Sequence, residues 1–309
     1  MITLSIIIVS WNVRDLLRDC LHSIRENADG LSYEIIVVDS ASTDDTPAMI
    51  RDEFPDVVLL AQTENVGFTR GNNIGLEAAR GRYLFLLNPD TVILGDAMQK
   101  MIDHLEAHPE VGIIGPHTRN TDGTHQSTRR RFPNWQTAFF ESTWLQPYAP
   151  RRVLDRYYMH DIDDDAVAGV DWVQGSALLA RRAVYEQIGG LDTGYVMFFE
   201  EVDWCKRAAS AGWDAAYMGT GRIIHHGGKS TEQVQARKHI HFNESKLRYY
   251  RKHHGAGMAW ALRVFLLLNY ATQIMIEGAK ALVGHKRDMR TERIRVYWRV
   301  LRSGLRVRD

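Results

Sequence analysis

Cysteine is scarce in this sequence. Among 309 residues only Cys20 and Cys205 occur, both in segments with helical periodicity and without the spacing of metal ligands. A disulfide framework is therefore not expected, and a reducing, cytoplasmic compartment is favoured.

Targeting and membrane-spanning segments are also lacking. The first ten residues, MITLSIIIVS, have no basic stretch before the apolar run, so Leu4 to Val9 is interpreted as a buried strand rather than a leader. The apolar segment from Gly257 to Gly284 is too interrupted to provide the about 20 continuous apolar residues of a spanning helix. The interrupting residues are Arg263, Asn269, Gln273, Glu277 and Lys280. An amphipathic helix lying in the plane of a membrane is predicted instead.

Net charge is absent overall, but it is not evenly distributed. Residues 229–309 carry 18 Lys and Arg against 6 Asp and Glu, and residues 1–228 carry 20 against 32. The acidic body suits a metal-dependent site, and the basic C-terminal part suits an anionic surface such as a membrane leaflet. No known nucleic-acid recognition module is apparent, which argues against a nucleic-acid partner.

Strand-like and helix-like segments alternate over the first ~115 residues, as in parallel βαβ units. The pattern predicts an α/β protein with a mostly parallel, doubly wound sheet flanked by helices and a helical appendage at the C-terminus. The predicted strands include 4–9, 34–38, 57–60, 83–87, 112–114, 173–179 and 222–224, and the predicted helices include 13–27, 70–79, 96–108, 182–188 and 200–211.

The pattern is lost between Pro116 and Gly169. This stretch is polar and rich in turn residues, which is typical of a solvated loop. A lid from Thr118 to Trp135 is the alternative, because long loops in compact domains often cover active sites.

Polar residues follow three of the predicted strands. Ser10 and Asn12 follow the first, Asp39 the second, and Asn88 and Asp90 the run YLFLL. The carboxyl ends of parallel strands form one rim of an open sheet, where ligands bind. A hard cation such as Mg²⁺ or Mn²⁺ prefers oxygen ligands and can be coordinated by the protein and a diphosphate together. Asp90 is therefore predicted to bind a metal. Asp39 is predicted either to bind a nucleoside or only to cap the next helix.

Two further clusters carry titratable groups. Glu200, Glu201 and Asp203 begin a predicted helix after two phenylalanines, which suits either a helix N-terminus or a partly desolvated general base. His225 and His226 end a short strand, so at most one of them faces a metal held by Asp90.

Seven motifs in chain order resemble glycosyltransferase family 2, the inverting enzymes of GT-A fold, and most closely their rhamnosyltransferase-like branch. The resemblance covers residues 4 to about 232. The motifs are SIIIVSWN, EIIVVDSASTDDT, NVGFTRGNN, YLFLLNPDT, WVQGSALLARRA, IGGLDTGYVMFFEEVDWCKRAASAGW and IIHHGGKST.

The resemblance implies a role for each matching residue. Asn88 and Asp90 stand at the Asp-x-Asp metal motif of the family, with His225 as a late metal ligand and His226 as the alternative. Glu201 aligns with the catalytic Asp of relatives and is one methylene longer. The nucleoside-diphosphate donor would be bound by Ser10, Asn12, Asp39, Gly67, Asn73, Asn88 and Asp90, and the sugar and acceptor pocket would be formed by Trp172, Gly175, Glu200 and Asp203.

These roles imply a metal-dependent, inverting sugar transfer. Glu201 would deprotonate an acceptor hydroxyl, which would attack the anomeric carbon of the donor. The branch favours dTDP-rhamnose, with a UDP-sugar as the alternative, and an acceptor that is a glycan or a polyprenyl-linked glycan of the cell surface.

The predicted domains are a GT-A catalytic domain over 1–232, with a donor half of about 1–115 and an acceptor half of about 170–232, and a basic helical segment over 233–309. This segment would place the protein on the inner face of the plasma membrane, or pack against the catalytic domain or a second copy in a homodimer. Two other functions stay open, a nucleotidyltransferase that forms sugar nucleotides and a non-catalytic sugar-nucleotide binder. The first usually has an early Gly-rich loop that SWNVRD lacks.

Overall fold

The computed structural model describes residues 2–227, 235–284 and 286–307. Contacts between residues divide the chain into two compact units. The sheet unit comprises 1–132, 155–193 and 200–230, and the helical unit comprises 133–154, 194–199 and 231–309. The domain limits proposed from the sequence stay a prediction, since a compact unit need not be a functional domain.

The sheet unit is built on a sheet of ten strands. Eight of them follow the order β3-β2-β1-β4-β11-β6-β12-β5, with β7 beside β6 and β9 beside β12, while β8 and β10 form a separate pair. The strands are β1 Leu4–Ser10, β2 Tyr33–Asp39, β3 Val58–Ala61, β4 Tyr83–Leu87, β5 Thr91–Leu94, β6 Val111–Arg119, β7 His125–Gln126, β8 Arg129–Arg130, β9 Val167–Val170, β10 Trp172–Val173, β11 Ala177–Arg181 and β12 Asp214–His225.

The sheet is mixed. Strands β3, β2, β1 and β4 are mutually parallel, whereas β11 runs antiparallel between β4 and β6. The predicted α/β class with helices beside the sheet is confirmed. The antiparallel strand arises because Val173 to Leu179, predicted as one strand, is broken at Gln174–Ser176 into β10 and β11.

Helices cover the sheet through apolar stripes. In α1, Leu17, Cys20, Leu21 and Ile24 recur at helical spacing and are buried, which explains why this segment forms a helix against the sheet. The helices of the sheet unit are α1 Arg14–Glu26, α2 Thr46–Glu53, α3 Gly67–Ala78, α4 Ala97–Ala107, α7 Arg182–Ile188 and α8 Glu200–Ser210, and α6 Arg151–Tyr158 crosses the division between the units.

Glycines let α3 approach β1 closely. A Cβ at Gly71 would lie 2.7 Å from Val9 Cγ1, and a Cβ at Gly75 would lie 2.3 Å from Ile7 Cγ2. Gly71 and Gly75 therefore serve the packing of α3 on the strand.

The segment from Pro116 to Gly169 is more ordered than predicted. Strand β6 continues to Arg119, and after the turn at Asp122-Gly123 the short strand β7 pairs back onto it, with Thr118 opposite Gln126. Arg129 of β8 is 3% exposed and binds Asp164 at 2.9 Å. The acidic run at residues 161–165 therefore pairs with a buried arginine, and the solvated-loop prediction was wrong here.

Three long helices lie in the part of the helical unit that the structure describes. They are α9 Gln235–His254, α10 Ala256–Leu282 and α11 Arg287–Ser303, with the short α5 Trp135–Phe140 beside α10. Arg263 near the start of α10 donates to Gly304 O after α11 at 2.8 Å, and Arg290 near the start of α11 donates to Glu277 at 2.5 Å. Helices α10 and α11 are therefore antiparallel.

Helix α10 is long and apolar enough to cross a membrane by length and composition. Whether its interrupting residues keep this helix from spanning a membrane stays a prediction. Its interrupting residues are spaced so that buried Glu277 and partly buried Arg263 lie toward the other helices.

Candidate functional site

The turn after β4 and the end of β12 meet through strand pairing. Residues 88–90 connect β4 to β5, and β5 pairs with β12 so that Thr91 lies opposite His225. The backbone N–H of His226 also donates to Asp90 O at 2.9 Å. This register brings His225, rather than His226, beside the carboxylate of Asp90.

His225 is 7% exposed and has partners on both ring nitrogens. Its Nδ1 donates to Gln126 Oε1 at 2.7 Å, because an amide oxygen can only accept. Asn88 Nδ2 approaches Nε2 at 3.3 Å, and Asp90 Oδ1 also lies 3.3 Å from Nε2. In the neutral ring the Nε2 lone pair thus faces a carboxylate.

Two acceptors that face each other need a cation or a proton between them. Asn88 Oδ1 is buried beside them and has no hydrogen-bond partner among the described residues. Two ligand atoms bound at right angles to one ion at about 2.1 Å lie about 3.0 Å apart, close to the observed separation. The donor set therefore fits a divalent metal.

The protein alone supplies few ligands for such an ion. Within the described ranges no group of three or more His, Cys, Asp or Glu side chains is placed to hold a metal. An ion held by Asp90 and His225 would need further oxygens from a bound ligand, and a diphosphate supplies oxygens of this kind.

The ends of β1 and β2 form a second polar group. Ser10 pairs with Asp39 in the sheet, and Asp39 Oδ2 accepts from Ser42 N at 3.0 Å. Asn12, in the left-handed region at φ 53°, accepts from Thr43 N at 2.7 Å. Ser10 Oγ and Asp39 Oδ1 are buried and unpartnered in the part of the chain that the structure describes. A ligand with a hydroxyl or N–H group would satisfy them.

Gly67 and Asn73 differ in their surroundings. Gly67 begins α3 at φ +74° and donates its N–H to Asn65 Oδ1 at 2.9 Å, and Asn65 also accepts from Ser40 beside Asp39. Asn73 instead exchanges two hydrogen bonds of 2.8 Å with the backbone of Leu191. The structure brings Gly67 to the Asp39 group, but gives the amide of Asn73 a structural partner.

Glu200 and Glu201 begin α8 as an interacting pair. Burial, then the charge of Glu201, raises the pKa of Glu200 well above its usual value. Burial likewise raises the pKa of Glu201, opposed by backbone hydrogen bonds from its own N–H, Gly175 and Val202. One oxygen of each carboxylate lacks a partner within the described residues. A carboxylate with raised proton affinity is suited to act as a general base.

The loop between β10 and β11 connects this pair to the metal-binding candidates. A Cβ at Gly175 would lie 3.5 Å from Glu201 Cβ, and the next residue, Ser176, accepts through its backbone O from Asn88 N at 2.9 Å. Glu201 and the Asn88–Asp90 turn thus contact the same three-residue loop.

Trp172 and Asp203 have structural partners. Trp172 is buried, donates to Arg131 O at 2.9 Å and lies beneath the guanidinium of Arg130 at 5.4 Å. Asp203 is fully buried and accepts from Arg207 at 2.9 Å. Asp203 therefore pairs within α8, and Trp172 lies against Arg130, whose charge opposes the rise that burial causes in the pKa of Glu201.

Sequence reasoning missed Gln126. Its Oε1 accepts from His225, and its Nε2 donates to Asn120 Oδ1 at 2.9 Å, so it fixes which nitrogen of His225 faces Asp90. The Asp122-Gly123 pair, flanked by residues that can form strands, is a hairpin signal that could have located it.

Solved structures share the architecture of this chain. The chain superposes with a TM-score of 0.58 and 17% identity on the mannosyltransferase PcManGT from Pyrobaculum calidifontis in complex with GDP-Man and Mn²⁺, over 99% of this chain and 88% of that one. It matches GalNAc-T7 with UDP, GalNAc and Mn²⁺ at a TM-score of 0.56 and 14% identity, over 73% of this chain and 43% of that one. The fold is that of GT-A glycosyltransferases.

Sequence comparison identifies the family. The family model for glycosyl transferase family 2 matches residues 5–172, more than half of the chain. The chain belongs to glycosyl transferase family 2, and it is a glycosyltransferase.

Two curated relatives are similar over most of their length. N-acetylglucosaminyl-diphospho-decaprenol L-rhamnosyltransferase of Mycobacterium tuberculosis is 28% identical over 250 residues, which is 76% of this chain and 81% of that protein. Rhamnosyltransferase WbbL of Escherichia coli is 25% identical over 231 residues, 72% and 82% respectively.

Proposed function

We propose that this protein transfers L-rhamnose from dTDP-rhamnose to a hydroxyl of a polyprenyl-linked glycan during cell-surface polysaccharide synthesis, with inversion at the anomeric carbon. The sugar and the lipid-linked acceptor are supported by the names of the two relatives, one a rhamnosyltransferase that acts on a diphospho-decaprenol sugar. Work on such an acceptor would take place at the inner face of the plasma membrane.

The observation that carries the proposal is the pairing of Asp90 with His225. Their facing acceptor atoms at 3.3 Å, with Gln126 fixing the ring, make a half-complete cation site at the C-terminal rim of the sheet. Asp90, His225 and Asn88 would hold Mg²⁺ or Mn²⁺. When bound, the cation neutralises charge on the leaving diphosphate.

Other residues act on the donor and acceptor. Ser10 and Asp39 bind the nucleoside through polar atoms that have no partner among the described residues, and Asn12, held by Thr43, lies beside them. Gly67 has no side chain that could obstruct the nucleoside. Asn73 stabilises the neighbouring backbone by its hydrogen bond to Leu191. Glu201 accepts the proton of the acceptor hydroxyl as its oxygen bonds to the anomeric carbon and the bond to the diphosphate oxygen breaks, which releases dTDP. Gly175 and Trp172 border the acceptor side, with Glu200 and Asp203 behind them.

A donor screen tests this function. We expect dTDP-rhamnose with Mn²⁺ to raise the Tm more than GDP- or UDP-sugars, because a ligand that binds only the folded protein stabilises it by mass action. Transfer to a polyprenyl-diphosphate-linked N-acetylglucosamine is then followed by mass spectrometry. If another nucleotide sugar raises the Tm more and its sugar is transferred, the assignment of rhamnose is wrong but the enzyme class stands. Binding without any transfer would favour a non-catalytic binder.

A further inference from the structure

Helix α10 exposes a continuous apolar face. Trp260, Val264, Leu268, Met275 and Leu282 are spaced by four or seven residues, so at about 100° per residue they lie on one side of the helix. They are between 38% and 90% exposed. Monomeric proteins rarely expose apolar surface of this extent without a function for it. These five residues are called the α10 stripe.

The opposite side of α10 is buried. Ala259, Leu262, Leu266, Tyr270 and Glu277 form that side, and it packs within the helical unit against α9 and α11. The α10 stripe is therefore not the packed side of a bundle helix. At 1.5 Å per residue it extends for about 33 Å.

The exposed side of α10 has no charge. Over a sector of roughly 160° around the stripe, all positions of this fully described helix are uncharged. The hydroxyl in this sector, Thr272 Oγ1, donates to Leu268 O at 2.9 Å within the helix. A surface whose polar groups are satisfied internally can enter an apolar medium at low cost.

The width of this sector favours lipid over a second copy of the chain. A helix pair in water uses a narrow apolar seam, flanked by charged residues that choose the partner. Here the flanking positions Phe265, Leu267, Ile274 and Ala279 are uncharged.

Charge at the two ends of the stripe points to the same partner. Arg251 and Lys252 precede α10, and Lys286 and Arg287 follow it, all exposed. Basic residues at both ends of an apolar face, with a Trp at one end, are complementary to the headgroups of an anionic leaflet.

We propose that the α10 stripe is a docking surface for an anionic lipid bilayer, on which the helix lies parallel to the membrane plane. The packed side of α10 keeps Glu277 and its partner Arg290 inside the helical unit, which a helix inserted across the bilayer would have to expose to lipid. The proposal does not depend on the sugar transferred.

Vesicle sedimentation tests this surface. We expect the full chain to pellet with vesicles of phosphatidylcholine and phosphatidylglycerol, and much less with phosphatidylcholine alone. Val264→Glu combined with Leu268→Glu should weaken partitioning by roughly ten-fold or more, since two apolar side chains lose their burial. Val58→Glu on β3 is the matched control, because Val58 is 38% exposed, as Val264 is, and it should bind like the unchanged protein.

Circular dichroism of each variant confirms that it is folded. Three outcomes would overturn the proposal: equal pelleting of the double variant and the unchanged protein, resistance of the bound protein to carbonate extraction, which indicates a spanning helix, or loss of a dimer in the double variant with vesicle binding unchanged.

Discussion

At the scale of single residues, the two carboxylates at the start of α8 differ in their surroundings although they are adjacent. Glu201 contacts the loop that also binds the Asn88 backbone, whereas Glu200 is more deeply buried. Their charges interact, and burial raises the pKa of both. In the proposed reaction Glu201 accepts the proton, and Glu200 holds one.

Replacing Glu201 should separate binding from turnover. We expect Glu201→Gln to bind dTDP with Mn²⁺ as the unchanged enzyme does and to lose roughly 10²- to 10⁴-fold in kcat, the usual contribution of a general base. Glu201→Asp, which keeps a carboxylate on a side chain one methylene shorter, should retain part of the rate. Calorimetric titration and a transfer assay measure the two effects, and full turnover by the Gln variant would remove Glu201 from this role.

Glu200 should make folding stability depend on pH. Because burial raises its pKa in the folded protein, the folded state binds more protons than the unfolded state above pH 4.5, the usual pKa of Glu. Stability is therefore lost as the pH rises toward neutrality. We expect Glu200→Gln to raise the Tm at neutral pH and to flatten the decline, as measured by circular dichroism from pH 4.5 upward.

The matched control for this change is Glu186→Gln on the exposed side of α7, which should leave the profile unchanged. A Glu200→Gln profile as steep as that of the unchanged protein would mean that Glu200 does not carry the effect.

At the scale of elements, the β6–β7 hairpin supports the site through Gln126. We expect Gln126→Leu to weaken Mn²⁺ affinity about 10- to 100-fold in the presence of dTDP, because loss of a residue that orients a metal ligand usually has this effect. Gln126→Glu keeps an oxygen acceptor and should restore most of the affinity. Electron paramagnetic resonance titration of Mn²⁺ measures both.

Gln99→Leu provides the control for this series, since Gln99 is exposed on α4 and bonds to Asp103 in the same helix at 2.6 Å. If Gln126→Leu binds Mn²⁺ as Gln99→Leu does, the hairpin has no part in orienting His225.

Packing of α3 on β1 should also be sensitive to a single methyl group. Gly75→Ala would place its Cβ 2.3 Å from Ile7 Cγ2 in the buried core, and we expect a loss of about 1–3 kcal/mol in stability. Gly278→Ala in α10 meets no atom within 4 Å and should be neutral or stabilising by up to about 1 kcal/mol. Thermal denaturation compares the two, and equal Tm values for both variants would contradict the close packing.

Elements with a strong local pattern could be predicted, and those defined by long-range pairing could not. Periodicity in the sequence predicts the apolar strands β1, β2 and β4 and the apolar stripe of α1. In contrast β7 and β8 have two residues each, too few to show a periodicity. The antiparallel direction of β11 depends on its pairing with β4 and β6, which lie far from it in the chain.

The site follows the same division. Asp90 and Asp39 follow predicted strands, so their positions at the rim were predictable. The choice of His225 over His226 depends on the register of β12 with β5, and the fixing of His225 depends on Gln126, 99 residues away in the chain. Neither relation is visible in a local pattern.

At the scale of the whole molecule, the charge asymmetry corresponds to two compact units with different surfaces. The acidic body forms the sheet unit with its polar rim, and most of the basic C-terminal part forms the helices that expose the α10 stripe. The proposed function requires a metal-ready site for the donor, and the proposed docking surface would bring the protein to a lipid-linked acceptor.

The most direct test is a crystal structure of the protein with dTDP and Mn²⁺, with data collected at the manganese absorption edge. We predict one anomalous peak bound by Asp90 and His225 Nε2 and by the diphosphate, with the thymidine beside Asp39. A peak bound elsewhere, or a diphosphate that does not approach Asp90 and His225, would contradict the proposed site.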